Sequence, residues 1–265
     1  MSFAQVNGVR LRYSLEGSGR GLPLVFLNSV GADLCIWDDL VEELSLPRTL
    51  VRYDQRGHGL SESPPAPCTL ADHAEDLAGL LEYLELPKAI LIGISLGGMV
   101  ALDFASRHPA QVGGLILCDT GLKIGNAAFW QQRIALVEAQ GLGGAAETIL
   151  ARWFTPRFIQ SRPAEYAGYR SMLTRTPLAG YMASCAAIRD ADLNGAAKQV
   201  QAKTLVLCGA EDLATPPDVA RQLAGAINGA RLEIIPQAGH FPTIEQPQAT
   251  ATKVQAFLKE LGDGR

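Results

Sequence analysis

Short, largely apolar runs alternate with longer segments of helical periodicity along most of the chain. Such runs, with apolar side chains on both faces, are typical of central strands in a parallel sheet that helices cover on both sides. Six runs have this character: residues 24–27, 50–53, 89–92, 115–118, 205–208 and 231–235. Their alternation with helical segments predicts right-handed crossovers and an α/β fold with a mostly parallel, doubly wound sheet.

Local start and stop signals mark several elements. The clearest helices are predicted over residues 70–84, 96–107 and 248–261. The first follows Thr69-Leu70-Ala71-Asp72, which has the pattern of a capping box, and the second is ended by His108-Pro109. Residues 4–7 and 9–15 flank Gly8, so we expect an antiparallel hairpin at the edge of the sheet.

The alternation of strands and helices stops between residues 121 and 194. This stretch has no β-rich run, has helical spacing, and is longer than a single crossover requires. We therefore predict a helical cap, residues 121–194, inserted into a core formed by residues 1–120 and 195–265. The alternative is that the stretch only supplies two or three helices that cover the sheet.

The strongest chemical signal is Gly93-Ile94-Ser95-Leu96-Gly97, which fits the G-x-S-x-G pattern between an apolar strand and a helix. Glycines are needed there because the turn is so tight that side chains beside the serine would collide with it. The turn presents Ser95 Oγ at a helix N-terminus, whose dipole favours developing negative charge. A bare glycine-rich turn is possible in any α/β protein, but the strand–turn–helix context favours a nucleophile.

A serine hydroxyl needs a base, and four histidines are candidates. His240 follows the last β-rich run in a Gly-His-Phe-Pro loop, where a base can reach the end of the sheet. We interpret the others as structural: His58 in a glycine-rich loop, His73 in a helix, and His108 as an exposed helix end. The sequence therefore predicts His240 as the base.

An acid must orient the base, and two aspartates lie where ligand-facing residues collect, at the carboxyl ends of strands. Asp212 follows the run 205–208, and Asp119 follows the run 115–118. We prefer Asp212 because it gives the chain order Ser, Asp, His. Asp119 is the second choice and Glu211 the third.

Acyl transfer also needs donors for a developing oxyanion. The backbone N–H of Leu96, directly after the serine, is one candidate, and the N–H of Val30 in the loop after the run 24–27 is the other. The turn from Asp54 to Arg56 is interpreted as structural, holding the top of the sheet through hydrogen bonds.

The composition of the chain indicates which classes of partner to expect. The chain has 265 residues, 48% of them hydrophobic, with a net charge of −4 and no long basic run, which gives no indication of a nucleic-acid surface. No apolar stretch has the length of a membrane helix and no signal peptide is recognisable, so we expect a cytoplasmic protein. The five cysteines and four histidines lack metal-ligand spacing, which predicts free thiols and no metal.

These motifs together resemble the α/β-hydrolase superfamily, across essentially the whole chain. More narrowly, the chain is similar to the 3-oxoadipate enol-lactonases. The segments that carry this similarity are Leu27-Asn28-Ser29-Val30-Gly31, Arg152-Trp153-Phe154-Thr155, residues 181–193, and the residues around Asp212 from Gly209 to Pro216. The resemblance implies an α/β-hydrolase fold with a helical cap.

The resemblance also implies a carboxylic ester hydrolase that opens an enol-lactone to 3-oxoadipate, without a cofactor, in bacterial catabolism of aromatic compounds through protocatechuate or catechol. A small anionic lactone calls for a cation in the cap, so Arg152 and Arg133 are candidates, with Trp153 as an apolar wall. An arginine beside a tryptophan is equally compatible with a solvated stem packed over a ring. The alternatives are another carboxylesterase, a C–C bond hydrolase, a cofactor-free perhydrolase or a non-enzymatic ligand-binding member.

Overall fold

The computed structural model describes residues 1–19, 21–63 and 67–262. Eight strands form one sheet in the order β1-β2-β4-β3-β5-β6-β7-β8. All neighbours from β4 onward pair in parallel, whereas β1–β2 and β2–β4 are antiparallel. The strands are β1 (Ser2–Val6), β2 (Val9–Glu16), β3 (Leu24–Leu27), β4 (Leu50–Tyr53), β5 (Ala89–Ile94), β6 (Val112–Cys118), β7 (Thr204–Gly209) and β8 (Arg231–Ile235).

Helices alternate with the strands of this sheet, so the mostly parallel α/β architecture predicted from the sequence is confirmed. The helices are α1 (Asp38–Leu44), α2 (Leu70–Tyr83), α3 (Leu96–Arg107), α4 (Ala127–Leu150), α5 (Pro156–Ser161), α6 (Pro163–Arg175), α7 (Leu178–Asp190), α8 (Asn194–Ala197), α9 (Pro217–Ala226), α10 (Pro242–Glu245) and α11 (Pro247–Glu260). Short 3-10 helices cover Leu34–Trp37 and Pro109–Gln111.

Local signals set these bounds. The Thr69 side chain accepts from the Asp72 N–H, and the Asp72 carboxylate accepts from the Thr69 N–H, as the capping-box pattern predicts. The hairpin turns at Asn7 and Gly8, both with positive φ, a conformation that asparagine and glycine tolerate. The predicted helix over 96–107 is α3, with the same bounds.

The strands that form the middle of the sheet are buried except at Gly113 in β6, whereas most of β8 is half-buried. β8 pairs only with β7 and lies at the edge, where four of its five residues are half-buried. Arg231 and Glu233 therefore reach solvent and pair with Glu260 and Lys253. The expectation that the run 231–235 is covered on both faces was wrong, because one side of an edge strand faces water.

Residues 121–194 contain helices and, in this fully described stretch, no strand. α4 packs against α6 and α7, and non-helical backbone at Gly141 (φ 66°, ψ 170°) bends it. These helices follow β6 and precede β7, so they leave the sheet and return to it at adjacent strands. The division into a core and a cap stays a prediction.

All five cysteines are free thiols, as expected from their number and spacing. Among the described residues, no helix combines the length and apolarity that crossing a membrane requires.

Candidate active site

Ser95 stands between β5 and α3 in a strained conformation, with φ 56° and ψ −117°. Its N–H donates to the carbonyl of Cys118 at 3.0 Å, and its own carbonyl accepts from Thr120 Oγ1 at 2.7 Å. These bonds tie both sides of the serine to β6 and the residues after it. The surrounding structure therefore holds the backbone in a conformation that a serine adopts only at a cost.

The glycines of the motif are required by close backbone approach. A Cβ atom at Gly93 would collide with the carbonyl oxygen of Gly97, and a Cβ at Gly97 would collide with the carbonyl oxygen of Leu27. Both collisions are with backbone, which cannot move aside without opening the sheet. The strand-to-helix turn predicted from the sequence thus has the geometry of a nucleophile elbow.

His240 lies in the loop between β8 and α10, with its side chain buried. Its Nδ1 lies 2.9 Å from Asp212 Oδ2, and its backbone N–H donates to the carbonyl of Trp153 at 2.9 Å. The imidazole is therefore fixed from β7 on one side and from the segment after α4 on the other.

Asp212 follows β7 and is buried. Oδ1 accepts from the N–H groups of Ala214 and Thr215 at 2.7 and 3.1 Å, and Oδ2 accepts from Thr215 Oγ1 at 2.6 Å. Burial alone would raise the pKa of this carboxyl, but the charge of His240 and these hydrogen bonds lower the pKa to about 2. Asp212 is thus an ionised carboxylate in contact with the imidazole.

The other acid candidates lie differently. Asp119 is buried at the end of β6, where its Oδ1 accepts from Gly209 N–H at 2.8 Å, and it makes no hydrogen bond to His240 among the described residues. Glu211 is exposed. Of the three candidates considered, the structure brings only Asp212 to the imidazole.

The remaining histidines have structural surroundings. His58 is buried with Nδ1 3.0 Å from the Arg56 carbonyl, and burial lowers its pKa to about 4. Burial also lowers the pKa of His73, which lies 3.4 Å from Ser184 Oγ, to about 3. His108 is half-buried and stacks on Phe104, so the expectation of an exposed helix end was wrong.

The turn after β4 is held by hydrogen bonds, as predicted. Asp54 accepts from the N–H groups of Leu34 and Leu60 at 2.8 and 2.9 Å. Arg56 forms two parallel bonds of 2.6 Å to Asp76 in α2. The turn is thereby joined to the 3-10 helix that begins at Leu34 and to α2.

A single cavity receives the side chains of Ser95 and His240. Val30, in the loop after β3, lines the same cavity, and Leu96 is the first residue of α3. In the described chain neither residue's N–H has a backbone acceptor, so both are free to donate. The lining also includes Ser29, Ile124, Phe129, Trp130, Arg133, Ile149, Arg152, Trp153, Tyr181 and Ala214.

Arg133 and Arg152 place two cations in this cavity, with their guanidinium carbons 5.4 and 5.1 Å from the centre of the Phe129 ring. Arg133 is buried and donates to Tyr181 Oη at 3.3 Å. Neither arginine has a carboxylate within ion-pair distance among the described residues. Burial, and then the charge of Arg133, lower the pKa of Arg152, so this part of the cavity favours an anion.

Trp153 lines the cavity and forms one wall of it, and its predicted contact with substrate stays a prediction. It is buried, and its ring packs edge-on against Phe241 with centroids 5.0 Å apart. Because its carbonyl also holds the His240 N–H, the wall and the base share one segment of chain.

Asp119, Cys208 and Asp212 each place one potential ligand atom within 4.8 Å of the others. The contacts of Asp212 and Cys208 give each of them a role other than metal binding. Asp212 is held by His240 and Thr215, and burial raises the pKa of the Cys208 thiol, which points at the Gly209 carbonyl. A thiol must lose its proton to bind a metal, and these surroundings oppose that loss.

Two residues that contribute hydrogen bonds to the site were not predicted from the sequence. Thr215 contacts both Asp212 Oδ2 and, at 3.3 Å, His240 Nδ1; the signal was a threonine three positions after the acid. Glu245 accepts from Gly239 N–H at 2.9 Å and from Thr155 Oγ1 at 2.5 Å. No local pattern marks Glu245, because Thr155 is 90 positions away.

A comparison with known proteins identifies the family of this chain. The sequence profile of the alpha/beta hydrolase family matches residues 24–253. The chain belongs to that family. The match extends from β3 into α11, so it includes Ser95, Asp212 and His240. The protein is therefore an alpha/beta hydrolase, as its fold and its motifs predicted.

Within the alpha/beta hydrolases, two relatives have related names. The chain is 34% identical to 3-oxoadipate enol-lactonase 2 of Acinetobacter baylyi, over 95% of this chain and 94% of that protein. The crystal structure of the enol-lactonase from Burkholderia xenovorans superposes with a TM-score of 0.94 at 35% identity, covering 97% and 100% of the two chains.

A third relative has another reaction in its name. It is 2-hydroxymuconate semialdehyde hydrolase from a Pseudomonas species, 30% identical over 94% of this chain and 91% of that protein.

Proposed function

We propose that this alpha/beta hydrolase is an enol-lactonase that opens 3-oxoadipate enol-lactone to 3-oxoadipate. The observation that carries the proposal is the cavity, which combines Ser95 and His240 with two arginines that have no carboxylate partner in the described part of the chain. A nucleophile beside one buried and one half-buried guanidinium suits an ester that bears a negative charge. Similarity to two proteins named enol-lactonases supports this substrate over other esters.

The proposed first step is attack of Ser95 Oγ on the lactone carbonyl, while His240 Nε2 takes the hydroxyl proton. Asp212 fixes the ring through Nδ1 and stabilises the imidazolium that forms. The ring C–O bond then breaks and releases an enolate oxygen, which conjugation stabilises. An acyl-enzyme on Ser95 remains.

After the ring opens, the imidazolium gives its proton to the enolate, and the resulting enol tautomerises to the ketone. In the second step the neutral His240 deprotonates a water molecule. The resulting hydroxide attacks the acyl carbon, the bond to Ser95 Oγ breaks, and the serine regains its proton from the imidazolium. In both steps the negative oxygen lies between the N–H groups of Val30 and Leu96. Each such donor is worth about 3 kcal/mol of transition-state stabilisation.

The substrate carboxylate binds at the arginines. Arg152 is the better-suited clamp because Arg133 already donates to Tyr181, whereas Arg152 makes no hydrogen bond among the described residues and packs on Phe129. A guanidinium can grip a carboxylate through two parallel hydrogen bonds. Trp153 and Phe129 enclose the apolar part of the ring.

A substrate panel tests this assignment. We expect higher kcat/KM for 3-oxoadipate enol-lactone than for p-nitrophenyl acetate, because only the lactone carries the carboxylate. A fluorophosphonate should label Ser95 in the folded protein. Esterase turnover without lactone turnover would contradict the substrate assignment, and a folded protein that resists labelling would contradict the nucleophile.

The second candidate is a C–C bond hydrolase, favoured by the relative named 2-hydroxymuconate semialdehyde hydrolase. Its substrate would also be anionic, so the arginines alone do not separate the two reactions. Turnover of that semialdehyde in the same panel, with the lactone left intact, would replace the first assignment with this one.

A further inference from the structure

A second carboxyl group lies buried beside Asp212. Asp119 directly follows β6, has φ 44° and has no exposed surface. One of its carboxyl oxygens lies within 4.8 Å of a carboxyl oxygen of Asp212. The proposed reaction steps use Asp212 and assign no role to Asp119.

The two carboxyl groups differ in their hydrogen-bond donors. Asp212 accepts from Ala214 N–H, from Thr215 N–H and hydroxyl, and contacts His240 Nδ1. Asp119 accepts only from Gly209 N–H, on Oδ1, and its Oδ2 has no partner in the described residues. A buried carboxylate needs donors to stay ionised, and Asp212 has them whereas Asp119 does not.

We propose that Asp119 stays protonated at neutral pH and donates its Oδ2 proton to the Asp212 carboxylate, which makes it a positioning residue for the partner of His240. This role rests on the proposed function, since it acts through the Asp212–His240 pair. The Asp119 oxygen without a partner then becomes a donor, and the Asp212 carboxylate accepts a further hydrogen bond.

The charges around Asp119 agree with a neutral group. Burial raises its pKa well above the ordinary range, and the negative charge of Asp212 raises it further. The thiols in contact are neutral too, because burial raises the pKa of each. The titratable groups facing Asp119 are Cys118, Cys208, Asp212, Glu245 and, beyond Asp212, His240.

Asp119→Asn provides a test that requires no turnover. The unfolded chain ionises an aspartate above about pH 4, whereas the folded protein would keep the proton. The folded state then binds more protons, so the stability contributed by Asp119 falls as pH rises. Asparagine has no proton to lose, so the Tm of D119N minus that of wild type should increase from pH 4 to pH 8. A difference that is constant or falls with pH would overturn the proposal.

Activity provides a second readout through three variants. D119N keeps an acceptor for Gly209 and a donor for Asp212, so it should retain nearly full kcat/KM and an unchanged acid limb in the pH profile.

D119G suits the positive φ and removes the donor, and it should lower kcat/KM about tenfold. Its acid limb should move to higher pH, because a less well solvated Asp212 holds the imidazolium more strongly. D212N, the matched change on the neighbouring strand, should lower kcat by about four orders of magnitude.

Two results would overturn the role. An acid limb that moves to lower pH in D119N would show that a negative charge had been removed. A pH profile and kcat/KM in D119G equal to wild type would show that Asp119 positions nothing. Either substrate of the panel suffices, and the stability measurement decides the protonation state even if Ser95 proves inactive or D119G fails to fold.

Discussion

The two parts of the chain that form the cavity contribute different kinds of group. Ser95, Asp212 and the loop of His240 follow parallel strands, and backbone hydrogen bonds join the segments at the ends of those strands. Arg133, Arg152 and Trp153 come from the helical stretch 121–194, and the two guanidinium groups rest on one aromatic ring. The sheet supplies reactive groups at set positions, and the helices supply the charge that would select a substrate.

Hydrogen bonds nevertheless join the two parts at the loop that carries His240. The His240 N–H donates to the Trp153 carbonyl, and Glu245 accepts from Gly239 on one side and Thr155 on the other. A shift of the helical stretch would therefore also move the imidazole. The groups expected to select the substrate and the reactive groups therefore lie in separate parts of the sequence, but hydrogen bonds join these two parts.

The largest effect should come from the strand-end groups. Ser95→Ala should lower kcat by roughly a millionfold on the lactone and on a neutral ester alike, because the nucleophile acts on both. Folding should be nearly intact, since alanine tolerates the turn no worse than serine. Steady-state kinetics and thermal unfolding measure the two quantities. Substantial turnover by a folded S95A protein would mean that another group attacks the carbonyl.

The second effect should come from the helical stretch and depend on substrate charge. Arg152→Ala should raise KM for the anionic lactone about tenfold to a hundredfold, as a lost charge-assisted pair of hydrogen bonds does, and leave p-nitrophenyl acetate almost unchanged. Arg157→Ala is the matched control, since Arg157 is exposed in α5 and does not line the cavity. Equal changes on both substrates would remove the clamp and leave Arg152 as a packing residue.

Sequence patterns predicted the sheet-based part of the site well. Ser95, Asp212 and His240 each follow a strand whose apolar run is visible locally, and parallel strands bring their carboxyl ends to one edge. The helix over 96–107 was predicted to the residue because its stop signal is local. Which of two strand-end aspartates meets the imidazole was suggested only by chain order.

The helical part was less accessible, because its contacts join distant residues. Arg133 and Tyr181 are 48 positions apart, and Trp153 reaches His240 across the whole of β7 and β8. The exposure of β8 was missed for the same reason, since a five-residue run does not reveal whether another strand covers it. Periodicity describes one element, and these features depend on which elements become neighbours.

The smallest effect should appear at the junction between the two parts. Glu245→Ala removes the acceptor of both Gly239 N–H and Thr155 Oγ1, so the loop of His240 loses its bond to the start of α5. We expect kcat to fall about tenfold on both substrates, because a small displacement of a base slows proton transfer, with KM little changed.

Glu245→Gln separates positioning from charge at this junction. Its carbonyl oxygen can still accept from Gly239, and its amide can donate to Thr155 Oγ1, so it should recover most of the lost kcat. Thr155→Val removes the other end of the bridge, and combining it with E245A should cost less than the sum of the two changes, because both break one connection. Additive losses would mean that Glu245 and Thr155 act independently, and a rise in KM for the lactone alone would place Glu245 with the substrate-selecting arginines instead of with the base.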